Sequence, residues 1–288
     1  MSMTGIENFH YYRRKFKNIL FASLCAFSCL LALGVLILLL GYVLFRGMNA
    51  INLDFFTHMP TPVGEAGGGV ANSLVGSLIL IVLASVIGIP LGVLTGLYLA
   101  EYGKNPYAQS IRFLTDVLNG MPSIVMGLFA YALLVIPMKG FSGLAGGVAL
   151  SILMIPVIVR TTEEVVKLVP NSLREAALAL GVRPWRMVLS VVLATARPGI
   201  LTAIILSIAR IAGETAPLLF TSFGNQFWQT NILQPMAALP LQIFTYAISP
   251  FEDWQAKAWA GAVVLVGFSL LINVSARWMI HSKFKRSR

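Results

Sequence analysis

The chain has 288 residues, of which 57% are hydrophobic and 11% charged, with mean hydropathy +0.82 and a formal net charge of +10. Soluble domains carry about 25% charged residues, so the composition excludes an ordinary water-soluble globule. The basic residues sit in short blocks beside apolar stretches, which argues against nucleic acid as a partner.

In chain order, Arg13, Arg14, Lys15 and Lys17 precede an apolar run over 19–45. A signal peptide's apolar core is about 7–15 residues, and no small-residue cleavage site follows, so this run is expected to stay as an anchor. Cys25 and Cys29, the only two cysteines, lie one helical turn apart within it and read as small apolar side chains. No third Cys or His completes a metal set. About 20 apolar residues cross a bilayer as a helix, and five more segments qualify: 72–100, 113–137, 141–159, 196–221 and 258–280. Only "MKGF" separates the third from the fourth, which predicts a tight helical hairpin. Pro90, Pro122, Pro156 and Pro217 read as kinks whose freed carbonyls neighbouring helices satisfy.

With the N-terminus inside, 17 of the 21 Lys and Arg fall on the cytoplasmic side, three (Arg46, Lys139, Lys257) fall outside, and Arg210 lies within a span. The positive-inside rule therefore predicts an all-α protein of six transmembrane helices with both termini cytoplasmic. The expected organisation is a basic segment 1–18, one transmembrane domain 19–281 and a basic tail 282–288.

The longest inner connection, about 160–197, contains "NSLREAALALGVRP". Ser172 and Glu175 have the S-x-x-E spacing of a capping box. Leu173, Ala176, Ala177 and Leu180 form a narrow apolar stripe, Gly181 stands where a left-handed residue ends a helix, and Pro184 can open the next one. So short a helix needs a surface to pack on, either its own membrane domain or a soluble partner. Arg160 reads as a positive-inside anchor, and Glu163 with Lys167 as a solvated helix face.

Arg210 and Glu214 are four residues apart in a stretch apolar enough to span. Each costs about 2.5–3.5 kcal/mol at mid-bilayer on translocon scales, while an exposed i,i+4 pair returns about 0.3–0.5 kcal/mol. Mutual attraction does not explain them. They either stitch spans together or line a path for something charged. A guanidinium fork suits an oxyanion, and Gly213 and Pro217 allow the helix to open there. Glu214, as an acceptor, either holds Arg210 or favours an oxyanion that carries a proton.

"EAALALG" resembles the E-A-A-x-x-x-G loop of bacterial ABC importer permeases, with Ala194 where that pattern has proline. "ARIAGETAPLLFT" (209–221) narrows the resemblance to the A-type permeases of the bacterial phosphate-specific transport system. "GLYLAEY", "PSIVMGLF", "NQFW", "LPLQIFTYAISP" and "AWAGA" agree, over roughly 65–275. The resemblance implies a type I ABC importer permease fold in the bacterial inner membrane, with Ser172, Glu175, Ala176, Ala177 and Gly181 in the helix that couples to the ATPase. It implies a transport-essential Arg210 with Glu214 as companion, and a second pathway arginine at Arg160. It also implies a non-catalytic subunit without cofactor of its own. The partners would be a C-type permease, a dimeric ATP-binding subunit carrying ATP and Mg, and a periplasmic phosphate-binding protein. Consistent with that, the chain has no G-x-x-x-x-G-K-[ST] loop.

Alternatives are a permease for another oxyanion, molybdate or sulfate, and a secondary transporter. No inverted repeat supports the latter. A membrane enzyme is disfavoured by three scattered histidines, His10, His58 and His281, and the absence of any nucleophile or metal motif.

Overall fold

The computed structural model describes residues 5–62, 65, 67–103 and 105–285. The first four residues of the basic segment 1–18, Lys104 and the last three residues of the basic tail lie outside that range, as do the side chains of 5–9 and 276–285. Among the described residues the regular structure is helical apart from one isolated bridge, Phe223 to Met236, and the rest is turns and loops. Five helices are long and apolar enough to cross a membrane, six if one bent pair counts as a span.

Helix α1 (Gly5–Gly47) begins well before the expected start of the first span and leaves most of its apolar side chains exposed. It touches the rest near its end, where Tyr42 meets Trp259 edge-on at 5.3 Å. Cys25 and Cys29 are both free. A short helix α2 (Leu53–Thr57), capped by Asn52, precedes α3 (Ala71–Tyr102), the second span.

The expected third span, 113–137, is a correction. It forms two helices, α4 (Pro106–Gly120) and α5 (Ser123–Met138), bent by 110°. Pro122 disfavours helical backbone at the residue before it, and Met121 is accordingly extended at φ −77°, ψ 140°. Arg112, Asp116 and Asn119 make α4 a poor lipid-facing helix. The hairpin at "MKGF" forms as expected: Lys139 turns left-handed at φ 55°, and Ser142 accepts from the Ala145 N–H at 3.1 Å to start α6 (Gly143–Lys167).

Helix α7 (Asn171–Ala179) follows, then α8 (Pro184–Ile211), α9 (Ala216–Thr221), α10 (Leu239–Ala247) and α11 (Glu252–Lys285). The loop expected over 160–197 shrinks to 168–183, because α6 and α8 both extend into it. The fifth span also shifts: expected over 196–221, it runs from Pro184 to Ile211 and then breaks.

The bundle is centred on α3 against α6. Gly88, Gly92 and Gly96 recur every four residues and let the two backbones close, the small-residue packing that membrane helices use. A Cβ at Gly92 would lie 2.7 Å from Ile158 Cβ, and one at Gly96 2.6 Å from the Val159 carbonyl. Leu80, Met126, Leu150, Met154 and Ile211 fill the core beside this seam. A second apolar cluster, including Val166, Val169, Ala177, Met187 and Val192, joins α7 to the ends of α6 and α8.

Candidate functional site

The predicted pair lies at a helix end. Arg210 is in the last turn of α8, a favourable place for a cation in the helix dipole. Residues 212–215 are not helical, and Pro217 opens α9. Pro217 packs directly on Gly127 of α5, where a Cβ would come within 2.6 Å of its Cα. The break expected from Gly213 and Pro217 is therefore present and braced from one side. Arg210 Nε is 3.9 Å from Glu214 Oε1, with the arginine side chain 50% exposed and the glutamate 18%. The pair is loose, and half of the arginine side chain is open.

Arg160 sits elsewhere. Gly199 of α8 packs on Val165 of α6. Arg210 is eleven residues beyond that contact, about 16 Å at 1.5 Å per residue, whereas Arg160 is five residues before Val165, about 7 Å in the same direction. The two arginines thus stand at different levels of the bundle.

Arg160 is tied down. Its Nε donates to Asp116 Oδ1 at 2.7 Å, and its Nη2 donates to both oxygens of the same carboxylate. Below it lies Glu163, and here the expectation of a solvated face fails. Glu163 is 1% exposed and receives Arg112 Nε at 2.7 Å and Lys167 Nζ at 2.6 Å. Arg160 Nη1 is 3.6 Å from its other oxygen, Oε2. The burial follows from α4 packing across α6: Arg112 also donates to the Gly103 and Leu99 carbonyls at 2.8 Å, so one guanidinium joins α3, α4 and α6. Sequence reasoning missed Arg112, Asp116 and Glu163. A lone carboxylate in an expected span, Asp116, was the available signal.

At the same end stands α7. Its N-cap is Pro170, with no side-chain cap, so Ser172 lies inside the helix and the expected capping box does not form. Proline fixes the chain's entry two residues earlier than the box requires. The C-terminus is as expected: Gly181 has φ 78°, its N–H reaches the Leu178 carbonyl at 2.9 Å, and the Val182 N–H reaches Ala177 at 3.2 Å. These two bonds make a Schellman cap. Of the expected stripe only Ala177 turns inward. Ser172, Glu175 and Ala176 are exposed, and Leu173, Leu178, Leu180 and Trp185 form an open apolar surface. Arg174 anchors the helix, donating to Glu101 at 2.7 Å and to the Val166 carbonyl at 3.0 Å.

At the opposite end of the bundle a cavity of about 220 Å³ is lined by apolar side chains such as Leu219, Phe223 and Leu241 together with the neutral polar Ser73, Asn225, Gln242 and Thr245. Tyr246 borders it, and burial pushes its hydroxyl above the ordinary tyrosine range, so it stays protonated.

The family described as "Binding-protein-dependent transport system inner membrane component" matches residues 88–284. A phosphate transport system permease protein PstA of Yersinia pestis is 49% identical over 94% of this chain and 92% of its own length. The PstA of Haemophilus influenzae is 45% identical over 96% and 98%. Among solved structures, the MetNI methionine ABC transporter in an inward-facing conformation matches 74% of this chain and 94% of its own, with TM-score 0.58 at 20% identity. That likeness speaks to the fold alone. The chain is a multi-pass membrane protein that belongs to the binding-protein-dependent inner membrane components, and within them to the PstA-type phosphate transport system permeases.

Proposed function

We propose that the chain is the A-type transmembrane subunit of an ATP-driven importer that carries inorganic phosphate into the cytoplasm. The orientation follows the positive-inside count, with both termini and α7 on the cytoplasmic side. ATP and Mg are held by a separate subunit, docked on the open apolar surface of α7 and the start of α8. A second, C-type permease covers the face carrying Arg210, and a phosphate-binding protein delivers from the far side.

One observation carries the reading. Arg210 is half exposed at an unwound helix junction, with only a loose contact to Glu214. A guanidinium does not face lipid, and irregular backbone at membrane depth belongs against protein or along a water-filled path. An arginine with donors to spare on such a path serves a visiting oxyanion. Arg160 forms a further stop toward the α7 end, and Glu214 selects for an anion with a proton to donate. Phosphate keeps a P–OH at neutral pH and sulfate does not. The test is ATP-dependent phosphate uptake by the reconstituted complex, wild type against Arg210→Gln at matched assembly, and loss of uptake is expected. Replacing Glu214 by Gln should erode discrimination against sulfate while transport continues; unchanged selectivity would remove that role.

A further inference from the structure

The Arg160 fork is already filled, and by a group of the same shape as an oxyanion edge. Two oxygens of the Asp116 carboxylate meet Nε and Nη2, the two-point match that a guanidinium also offers phosphate. Both side chains are accessible, Arg160 34% and Asp116 51% exposed, so the pair opens on a surface and not on the core. Among the described residues Asp116 makes no other side-chain hydrogen bond or ion pair.

Taking Asp116 away would leave Arg160 in place. Glu163 lies beneath it, buried and locked by Arg112 and Lys167, and its Oε2 has no hydrogen-bond partner while facing Arg160 at 3.6 Å. Arg160 and Glu163 share α6, whereas Asp116 belongs to α4, which ends at the 110° bend. The half-exposed Asp116 side chain can therefore rotate away from the fork while Arg112 keeps α4 on α6 and the fork stays oriented. The charges favour an exchange of anions: Arg112, Arg160 and Lys167 stand among Asp116, Glu163 and the nearby Glu164, and removing Asp116 leaves three cations against two carboxylates.

We propose that Asp116 is a built-in competitor for the transported oxyanion, holding the Arg160 fork in the empty protein, giving way to the anion in transit and displacing it on return. The inference rests on the phosphate-import reading. It makes Asp116 a specificity and release residue, with Glu163 positioning Arg160 from below.

The test uses the assembled complex of this chain with its second permease and ATPase, purified without the binding protein, and equilibrium binding of labelled inorganic phosphate. A competitor that fills the fork about nine-tenths of the time weakens apparent affinity on the order of tenfold. Asp116→Asn should therefore tighten phosphate binding by about that factor. The double variant Asp116→Asn with Arg160→Gln should lose the gain. Asparagine is isosteric and the site half exposed, and Arg112 still ties α4 to α6, so assembly is expected to survive and is checked by co-purification. Unchanged affinity in the assembled Asp116→Asn complex would overturn the proposal, and so would a gain that persists without Arg160. Wild-type uptake of phosphate, sulfate and molybdate is measured alongside, and the binding series uses the anion carried. A complex that imports sulfate but not phosphate would overturn the phosphate reading, while Asp116 stands or falls by the binding series.

Discussion

The two charged sites of this chain solve the same problem in opposite ways. Around Glu163 two cations bond directly, with contacts of 2.6 and 2.7 Å from Lys167 and Arg112, and the carboxylate is 1% exposed. At Arg210 the partner carboxylate is 3.9 Å away and half of the guanidinium is open. A buried carboxylate without its cations is costly, so the first site binds α3, α4 and α6 into one unit. The second contributes little to the fold of this chain, which frees it for function. A carboxylate buried among its cations is a structural device, and a loose, exposed pair leaves donors for a ligand.

This contrast can be broken or sharpened by mutation. The largest stability effect is expected for Arg112→Ala, which leaves Glu163 short of a buried partner at a cost of about 3–5 kcal/mol. Thermal unfolding of the detergent-solubilised complex should show a large drop, and a negligible one would mean that the cluster is not what holds α4. Next comes Gly92→Val, which forces an isopropyl group into the α3–α6 seam for about 1–3 kcal/mol. Its readout is again the unfolding midpoint, and tolerance would mean that the seam is looser than the 2.7 Å approach to Ile158 indicates. Gly181→Ala strains a left-handed backbone by about 1–2 kcal/mol locally; here ATPase activity stimulated by the binding protein should fall more than stability does. Smallest is Arg210→Gln, whose effect on stability should stay within about 0.5 kcal/mol, as for a loose, exposed pair.

Much of the fold was legible because lipid imposes a plain rule on composition. Spans two, four and six appear close to where their apolar runs place them, and the α5–α6 hairpin closes at the expected four residues. Boundaries failed where backbone chemistry overrode hydropathy. Pro122 breaks span three, and span five stops at Ile211 because the residues before Pro217 leave the helix. Among the site residues, Gly181 was readable from its own conformational freedom, since only a left-handed position ends α7 as observed. Ser172 was misread: its spacing to Glu175 is local, but the helix start is set by Pro170. Glu163 could not be judged from α6 alone. Its burial depends on Arg112 arriving from a helix 51 residues earlier, and no spacing within "TTEEVVK" carries that information. Asp116 was visible as a charge in an apolar run, and its partner was hidden for the same reason.

The central claim is that Arg210 meets the transported anion and does not brace the protein. Phosphate uptake driven by ATP, in proteoliposomes holding the complete complex with its binding protein, tests this most directly when Arg210→Gln is compared with wild type at equal assembly and unfolding midpoint. The account predicts that uptake falls on the order of a hundredfold or more, as expected when a desolvated anion loses its charged partner. Normal uptake by an intact Arg210→Gln complex would contradict it.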